Sequence, residues 1–330
     1  MLTKGEIKSA LLKYSGIARY KWRNLPNALY CFNYHRIGDA NSSEYDPNVF
    51  SCSAKQFDLQ LTFYKENFEV ITLTEALALI HTNKLLDKKY ALITFDDGYI
   101  DNYTVAMPLL IKHGLTAVFH LPSDYVESAI IPWWDEIAYM IRHTEKTELK
   151  FGDYPVVSLI QFNMSKTIRL VMNNVKHDPR SMDLKVKELS QKLACRINAE
   201  KEAPNLFVNW QQVQEMANSG MYIGSHTRSH RILSHLSLEE QTREMKLSKE
   251  VIENKIGVPV VSIAYPVGNN QSFTNTTCEL AKSLGYQCGF SFVSGRNSLK
   301  DKADNFHLKR IGIDGNASID DIKKKVSSYT

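Results

Sequence analysis

Residues 92–99 read Leu-Ile-Thr-Phe-Asp-Asp-Gly-Tyr, an apolar strand that runs directly into two adjacent carboxylates and a glycine. Because consecutive side chains of a strand point in different directions, Asp96 and Asp97 would enter one site from two angles. One carboxylate suits a metal ion and the other suits proton transfer. Asp-Asp-Gly is also ordinary turn chemistry, so the pair alone leaves a structural turn open as an alternative.

A second polar cluster follows a short strand far downstream, where residues 222–230 read Tyr-Ile-Gly-Ser-His-Thr-Arg-Ser-His. His226 and His230 are four residues apart, a spacing that places both imidazoles on the same side of a local turn. Two imidazoles and one carboxylate form a three-ligand set that leaves positions open on a divalent metal. The two clusters together favour a metal site over isolated structural residues.

Three ordered motifs make the chain resemble the polysaccharide deacetylases, carbohydrate esterase family 4. The first is Thr-Phe-Asp-Asp-Gly at 94–98, and the second is His-Thr-Arg-Ser-His at 226–230. The third is Ala-Tyr-Pro-Val-Gly at 264–268, which has the Tyr-Pro-x-Gly form of one large branch of the family. The similarity extends over about residues 28–314.

Composition places the chain among globular proteins and excludes several classes of partner. The 330 residues are 43% hydrophobic and 23% charged, with a formal net charge of +4. Lysines and arginines are dispersed, so no nucleic-acid partner is predicted. No run approaches the roughly 20 apolar residues of a membrane-spanning helix. The five cysteines are irregularly spaced and are expected to be reduced thiols.

Residues 1–23 are basic and mildly amphipathic, without the continuous apolar stretch and small-residue cleavage site of a secretory signal. We therefore expect a cytoplasmic protein. A helix that packs on the rest of the chain is the favoured interpretation of this segment, and peripheral contact with the inner membrane surface stays open as an alternative.

Apolar, β-rich runs alternate with helical patterns, which is typical of βα units around a parallel sheet. Seven or eight strands in this arrangement favour a closed barrel, and the resemblance implies a distorted (β/α)7 barrel with a helical insert. The predicted strands are Ala28–Tyr34, Glu69–Thr72, Ala91–Phe95, Thr116–Leu121, Tyr222–Ser225, Val260–Tyr265, Gln287–Val293 and His307–Ile313.

The predicted organisation is a helical extension at residues 1–26 and a single barrel at 27–330, with the insert at about 132–204. Capping patterns predict several helix starts, namely those at Ser53, Asn209 and Ser237. In such barrels the chemistry lies at the carboxyl ends of the strands, which is where all three motifs fall.

The resemblance implies a role for each residue of the motifs. Asp96 would be the general base of an amide hydrolysis, and one divalent metal would be held by Asp97, His226 and His230. Zinc is the default for this ligand set, and cobalt, nickel and iron also suit it. The third motif would bind substrate through Tyr265 and Pro266, with the Tyr265 amide or a neighbouring amide stabilising the oxyanion.

The general acid is where the chain departs from the better-known family pattern. The late Leu-x-His of many members is absent, and His307 starts its strand and so lies at the wrong end of a barrel. The arginine usual near the third motif is also missing, with Ala264 in that region. His35, which follows the first strand, is the candidate acid, with a structural histidine as the alternative. Arg310 is predicted to orient Asp96 through a two-point ion pair.

The insert opens with Trp133, Trp134 and Asp135, which suit stacking on a sugar ring and hydrogen bonding to its hydroxyls. An anchor for the insert is an equally good interpretation. His120, near the end of an apolar strand, either lines the pocket or is buried and hydrogen-bonded.

The sequence therefore predicts a metal-dependent hydrolase that removes an N-acetyl group from an amino sugar, in a glycan or in a carrier-linked precursor of a surface polysaccharide. A related hydrolase of small non-sugar amides is the first alternative. A non-catalytic carbohydrate-binding relative is the second, and it would be expected to lack part of the Asp96–Asp97–His226–His230 set, which is complete.

Overall fold

The computed structural model describes residues 17–81, 86–160, 163–177, 181–203, 206–298 and 305–329. Its twelve strands are β1 (Ala28–Tyr34), β2 (Arg36–Ile37), β3 (Phe50–Cys52), β4 (Glu69–Val70), β5 (Lys89–Asp96), β6 (Val118–Leu121), β7 (Glu148–Leu149), β8 (Val157–Ser158), β9 (Tyr222–Ser225), β10 (Ser262–Ala264), β11 (Cys288–Ser294) and β12 (Leu308–Gly312).

Eight of these strands form one parallel sheet that closes on itself. The order is β1-β12-β11-β10-β9-β6-β5-β4, and β1 also pairs with β5 along seven registered positions, from Ala28 with Lys89 to Tyr34 with Phe95. Seven strands therefore make a ring, and β4 pairs outside it with the start of β5. The predicted (β/α)7 barrel is confirmed, and each predicted strand is present with ends shifted by a few residues.

The barrel interior changes from apolar to polar along the strands. Leu29 and Cys31 of β1 belong to an apolar cluster that includes Leu92 of β5, whereas Asn33, two residues further on the same face, bonds to polar side chains. The alternate residues of β1 pack outward against helices. Polar groups are thus collected at the carboxyl ends of the strands, where all the predicted site residues of the first two motifs lie.

Helix starts follow the predicted capping residues. Ser237 and Asn209 each form a reciprocal capping box, and the Ser53 hydroxyl accepts the Gln56 N–H. The twelve helices in the described ranges are α1 (Ile17–Arg23), α2 (Ala54–Asn67), α3 (Leu73–His81), α4 (Met107–His113), α5 (Trp133–His143), α6 (Met164–His177), α7 (Met182–Leu193), α8 (Ala199–Glu202), α9 (Trp210–Asn218), α10 (Leu238–Ile256), α11 (Asn275–Ser283) and α12 (Ile319–Ser327).

Helices α5, α6 and α7, with the β7–β8 hairpin, form a second apolar cluster beside the barrel. Leu189 and Leu193, one turn apart on α7, are buried in it. Tyr99 and Phe207, which flank the strand ends of the barrel, belong to the same cluster, so this apolar packing continues to the mouth of the barrel. The domain boundaries proposed from the sequence stay a prediction.

No helix in the part of the chain that the structure describes is long and apolar enough to cross a membrane. Most of the segment predicted to contact a membrane surface, residues 1–16, lies outside the described residues. Its last part forms α1, in which the Trp22 ring stacks on Phe63 at 5.4 Å between centroids. Peripheral membrane contact stays a prediction.

Candidate active site

The carboxyl ends of β5 and β9 bring together three side chains that could hold a metal ion. The Oδ1 atom of Asp97 lies 3.5 Å from Nε2 of His226 and 3.4 Å from Nε2 of His230. One ligand atom from each of the three residues lies within 4.8 Å of the others. Asp97 Oδ1 is buried and makes no hydrogen bond within the described ranges. A buried carboxylate oxygen without a donor, facing two imidazole nitrogens, fits a divalent cation.

The His226 ring is held in the orientation that a metal ligand needs. Its Nδ1 lies 2.7 Å from the carbonyl oxygen of Ala264, which can only accept, so Nδ1 carries the proton. Nε2 then presents its lone pair to the side of Asp97. Burial lowers the pKa of His226 from 6.5 to about 4, despite the nearby carboxylate of Asp96. The ring is therefore neutral at physiological pH, as metal binding requires.

Backbone strain is concentrated at this end of the barrel. Seven non-glycine residues in the described segments have a left-handed φ, and four of them are in the motifs: Asp97 (74°), Thr227 (63°), His230 (58°) and Val267 (63°). A positive φ is especially unfavourable for the β-branched Val267 and Thr227. Such strain persists only where the surroundings impose it, and it clusters at functional sites.

Asp96 is buried and is held from several sides. Arg310 donates from Nη1 to Oδ1 at 2.8 Å and lies 2.7 Å from Oδ2 through Nη2, the two-point pair predicted from the sequence. Asn33 donates to Oδ2 at 3.2 Å, and His120 Nδ1 lies 3.4 Å from Oδ1. Burial, the largest single effect, would raise the pKa of Asp96, but Arg310, His226 and His120 together hold that pKa well below its usual range.

Asn33 and His120 both lie beside Asp96; sequence reasoning gave Asn33 no role and left two alternatives open for His120. His120 is fully buried, and its Nε2 lies 3.2 Å from Oγ of Ser262. Burial lowers its pKa, so it is a neutral, hydrogen-bonded histidine, one of the two alternatives left open above. The available signal was a polar residue inside each of two otherwise apolar strands.

His35 lies at the mouth, directly after β1. Its N–H donates to Ser51 Oγ at 3.0 Å, and its carbonyl accepts from Asn102 at 2.7 Å. The ring meets Phe292 edge-on at 5.9 Å between centroids. His307 precedes β12, at the opposite end of the strand from the motifs, and packs on Phe273.

The third motif is arranged differently from the prediction. The Tyr265 N–H donates to the carbonyl of Phe290 at 3.1 Å, and its side chain is fully buried. This N–H is therefore already bonded and is not free to stabilise an oxyanion. Of the two amides predicted for that role, Tyr265 or a neighbour, the Tyr265 amide is ruled out. Pro266 has no N–H. The neighbouring Val267 has one for which no acceptor lies in the described part of the chain, at a strained and half-exposed position.

The tryptophan pair of the insert divides between two environments. Trp133 is half-buried, with Lys176 over its ring at 5.8 Å. Trp134 is 9% exposed, donates from Nε1 to the Tyr99 hydroxyl at 2.8 Å, and packs its ring on His230. Asp135 is fully buried and accepts from the Tyr99 hydroxyl. Asp135 is thus inside the protein rather than at a surface that substrate reaches, which favours the anchor interpretation for it.

An exposed aromatic side chain at the mouth was missed. Phe292, near the end of β11, is 38% exposed, and the Arg310 guanidinium lies 5.7 Å from its ring centroid. Its N–H donates to the carbonyl of Gly268 at 2.7 Å, which brings the exposed Val267 near it. A Cβ on Gly312 would lie 2.6 Å from the Phe292 ring, so this glycine makes room for the aromatic. The alternating pattern of β11 gave no sign of it.

A family model described as polysaccharide deacetylase matches residues 83–150 and 161–289, more than half of the chain. The chain is 24% identical over 295 residues to the putative polysaccharide deacetylase YxkH of Bacillus subtilis, a match that covers 88% of this chain and 75% of that protein.

Solved structures share the fold. The Streptococcus pyogenes deacetylase PplD in complex with acetate has a TM-score of 0.60 at 21% identity, covering 91% of this chain and 99% of that one. IcaB from Ammonifex degensii has a TM-score of 0.58 at 18% identity, and the match covers 92% of this chain and 97% of that one.

Proposed function

The chain belongs to the polysaccharide deacetylase family, and we propose that it is a metal-dependent hydrolase that removes an N-acetyl group from an amino sugar within a glycan or its precursor. One observation carries the proposal. The Asp97–His226–His230 cluster and the ion-paired Asp96 lie at the same end of one closed barrel.

Asp97, His226 and His230 are the proposed ligands of one divalent ion. Two imidazoles and a carboxylate favour zinc, and cobalt, nickel and iron suit the same set. When bound, the ion supplies Lewis-acid polarisation of the acyl carbonyl. The unpartnered Asp97 oxygen and the His226 ring fixed by Ala264 support this assignment.

Asp96 is the proposed general base. The pKa of Asp96 lies well below its usual range, with Arg310 as the largest lowering cause, so the carboxylate is ionised throughout the neutral range, which is the form that a general base needs. Arg310 and Asn33 restrict both carboxylate oxygens to one orientation, so the base is positioned before substrate arrives.

His35 is the proposed general acid for the leaving amine. Its main chain is fixed by Ser51 and Asn102, while no hydrogen bond to its ring occurs in the described ranges. The ring also lies close enough to Asp97 to lower the pKa of that carboxyl, after the larger effects of burial and His230. A positioned main chain with an uncommitted imidazole suits proton delivery.

The Val267 N–H is the proposed oxyanion donor, in place of Tyr265. Its backbone has a left-handed φ of 63°, and its N–H, unlike that of Tyr265, donates to no backbone carbonyl in the described residues. Phe292 and Val267 together form an apolar wall suited to the acetyl methyl group or to a sugar face.

A cleft of about 260 Å³ beside the second motif bears on the substrate class. An excess of arginine there would favour the alternative of a small anionic amide. Its lining instead balances three arginines against three acids, namely Arg228, Arg231, Arg243, Asp124, Glu240 and Glu244. Arg228 and Arg231 are already paired with Asp124 and Glu240, and none of the proposed ligands lines this cleft, so it offers no excess positive charge in favour of an anionic substrate.

The test compares wild type with the His226→Ala/His230→Ala variant, each purified without chelator and then loaded with zinc. We expect about one divalent ion per wild-type chain, none in the variant, and release of acetate from N-acetylhexosamine oligosaccharides by wild type alone. Wild type that stays free of metal after loading with zinc, cobalt, nickel or iron would overturn the hydrolase mechanism.

A further inference from the structure

Of the two proposed histidine ligands, His230 is held less firmly than His226 by the barrel itself. Its side chain is 11% exposed against 3% for His226, and its backbone has the strained φ of 58°. A carbonyl oxygen fixes the His226 ring, whereas no comparable hydrogen bond to Nδ1 of His230 occurs in the described residues. Something else must hold this ring toward the cation position.

Two aromatic rings, those of Trp134 and Tyr125, lie beside His230. The Trp134 ring meets it at 5.0 Å between centroids with an interplanar angle of 61°, and Tyr125 lies at 6.2 Å and 25°. Trp134 is the nearer of the two and comes from the start of α5, in the insert. The packing leaves the indole little freedom, since only 9% of the residue is exposed.

A chain of buried hydrogen bonds fixes the indole in turn. Trp134 Nε1 donates to the Tyr99 hydroxyl at 2.8 Å, and that hydroxyl donates to Asp135 Oδ2 at 2.7 Å. The other Asp135 oxygen accepts from the Asp46 N–H at 3.0 Å. Tyr99 directly follows the Asp-Asp-Gly motif, so these bonds connect the start of the insert to the segment that carries Asp97.

We propose that Trp134 is a positioning residue for His230, held by Tyr99 and Asp135, through which the insert sets the affinity of the site for its metal. The inference rests on the proposed metal site. Supports behind a metal ligand orient it, and removing one typically costs about 10- to 100-fold in metal affinity. Trp134 therefore acts on the ligand instead of stacking on the sugar.

The two roles make opposite predictions for substitutions. A sugar platform would raise KM and leave metal affinity unchanged in the absence of substrate. A support for His230 would weaken metal binding with no substrate present and would perturb the ligand field of bound cobalt.

The experiment measures zinc affinity by chelator competition, and the visible spectrum of the cobalt-loaded protein, for Trp134→Ala, Trp134→Phe and Tyr99→Phe. Trp134→Phe keeps a ring against His230 but removes the donor to Tyr99. Trp210→Ala is the matched control, because this half-buried tryptophan also lies in the first turn of a helix, where it packs near Lys255. Melting temperatures of the metal-free proteins report the fold.

We expect about a 10- to 100-fold loss of zinc affinity in Trp134→Ala, with a smaller loss and an altered cobalt spectrum in the two Phe variants. Trp210→Ala should keep wild-type affinity. Wild-type affinity and spectrum in Trp134→Phe and Tyr99→Phe would overturn the inference, even if Trp134→Ala does not fold. Wild type that binds no metal would overturn the proposed function as well, so the two failures are distinguishable.

Discussion

Arg310 reaches Asp96 across the interior of the barrel, from β12 to the end of β5. Nη1 donates to Oδ1 at 2.8 Å, Nη2 lies 2.7 Å from Oδ2, and both side chains are almost fully buried. The guanidinium also donates to Asn33 and to the Ser291 carbonyl. A buried charge pair with its remaining donors satisfied holds one geometry, whereas removal of one partner costs about 3–5 kcal/mol.

Arg310→Lys keeps the positive charge but loses the planar two-point contact. Asp96 would then shift by up to about 1 Å. We expect kcat to fall roughly 100-fold, because displacements of this size are costly in catalysis. Metal content should stay at the wild-type level. Steady-state kinetics and elemental analysis check this, and an unchanged kcat would contradict a positioning role for Arg310.

Asp96→Asn keeps the shape of the base and removes its capacity to accept a proton. We expect kcat to fall by about 10²- to 10⁴-fold with metal stoichiometry unchanged, since Asp97 and both histidines remain. The variant also leaves Arg310 without its counter-charge, so melting temperature is measured in parallel. Activity that survives at temperatures where the variant is folded would exclude Asp96 as the base.

His35→Gln tests the proposed acid, and His307→Gln is its control. His35 lies at the mouth and His307 at the opposite end of the barrel, against Phe273. We expect kcat to fall by about 10²- to 10⁴-fold in His35→Gln alone, with zinc still bound in both variants. Equal kcat in the two variants would assign the proton to another group.

Asp135→Asn should change how stability depends on pH. Burial raises the pKa of Asp135 from 3.8 to about 7, although Arg36 opposes the shift. The stability gained from the bound proton is present below the unfolded pKa and is lost as pH rises through about 7. Urea unfolding at pH 5 and pH 8 measures this effect. Between these two pH values the unfolding free energy of wild type should fall by on the order of 2 kcal/mol relative to that of Asp135→Asn. A difference that stays constant between the two pH values would refute this assignment.

Gly224→Ala tests the packing around His120, which lies beside Asp96. A Cβ there would lie 2.3 Å from Cδ2 of His120 and 2.6 Å from Oγ of Ser262. We expect a loss of about 1–3 kcal/mol in unfolding free energy from this overpacking. The double variant Gly224→Ala/His120→Ala should recover part of the loss relative to additivity, and strict additivity would show that the two positions do not interact.

Much of the fold and of the site could be predicted from the sequence because the patterns that specify them are local. Apolar strands that alternate with capped helices specify a parallel barrel, and the carboxyl ends of such strands must meet at one edge. The proximity of the four motif residues was a consequence of topology, because each lies at the end of a strand or shortly after it: Asp96, Asp97, His226 and His230. Arg310 was also accessible to this reasoning, since its strand faces the same interior.

The sequence by itself determined the barrel, the motif residues and the chemistry that they are suited to. Only the tertiary structure decided what their neighbours do. The Tyr265 amide is taken by Phe290 of the adjacent strand, Trp134 lies against His230, and Asp135 is enclosed. The physical reason is that periodicity shows which face of an element is apolar, whereas the partner of a given amide, indole or carboxylate depends on how separate elements pack.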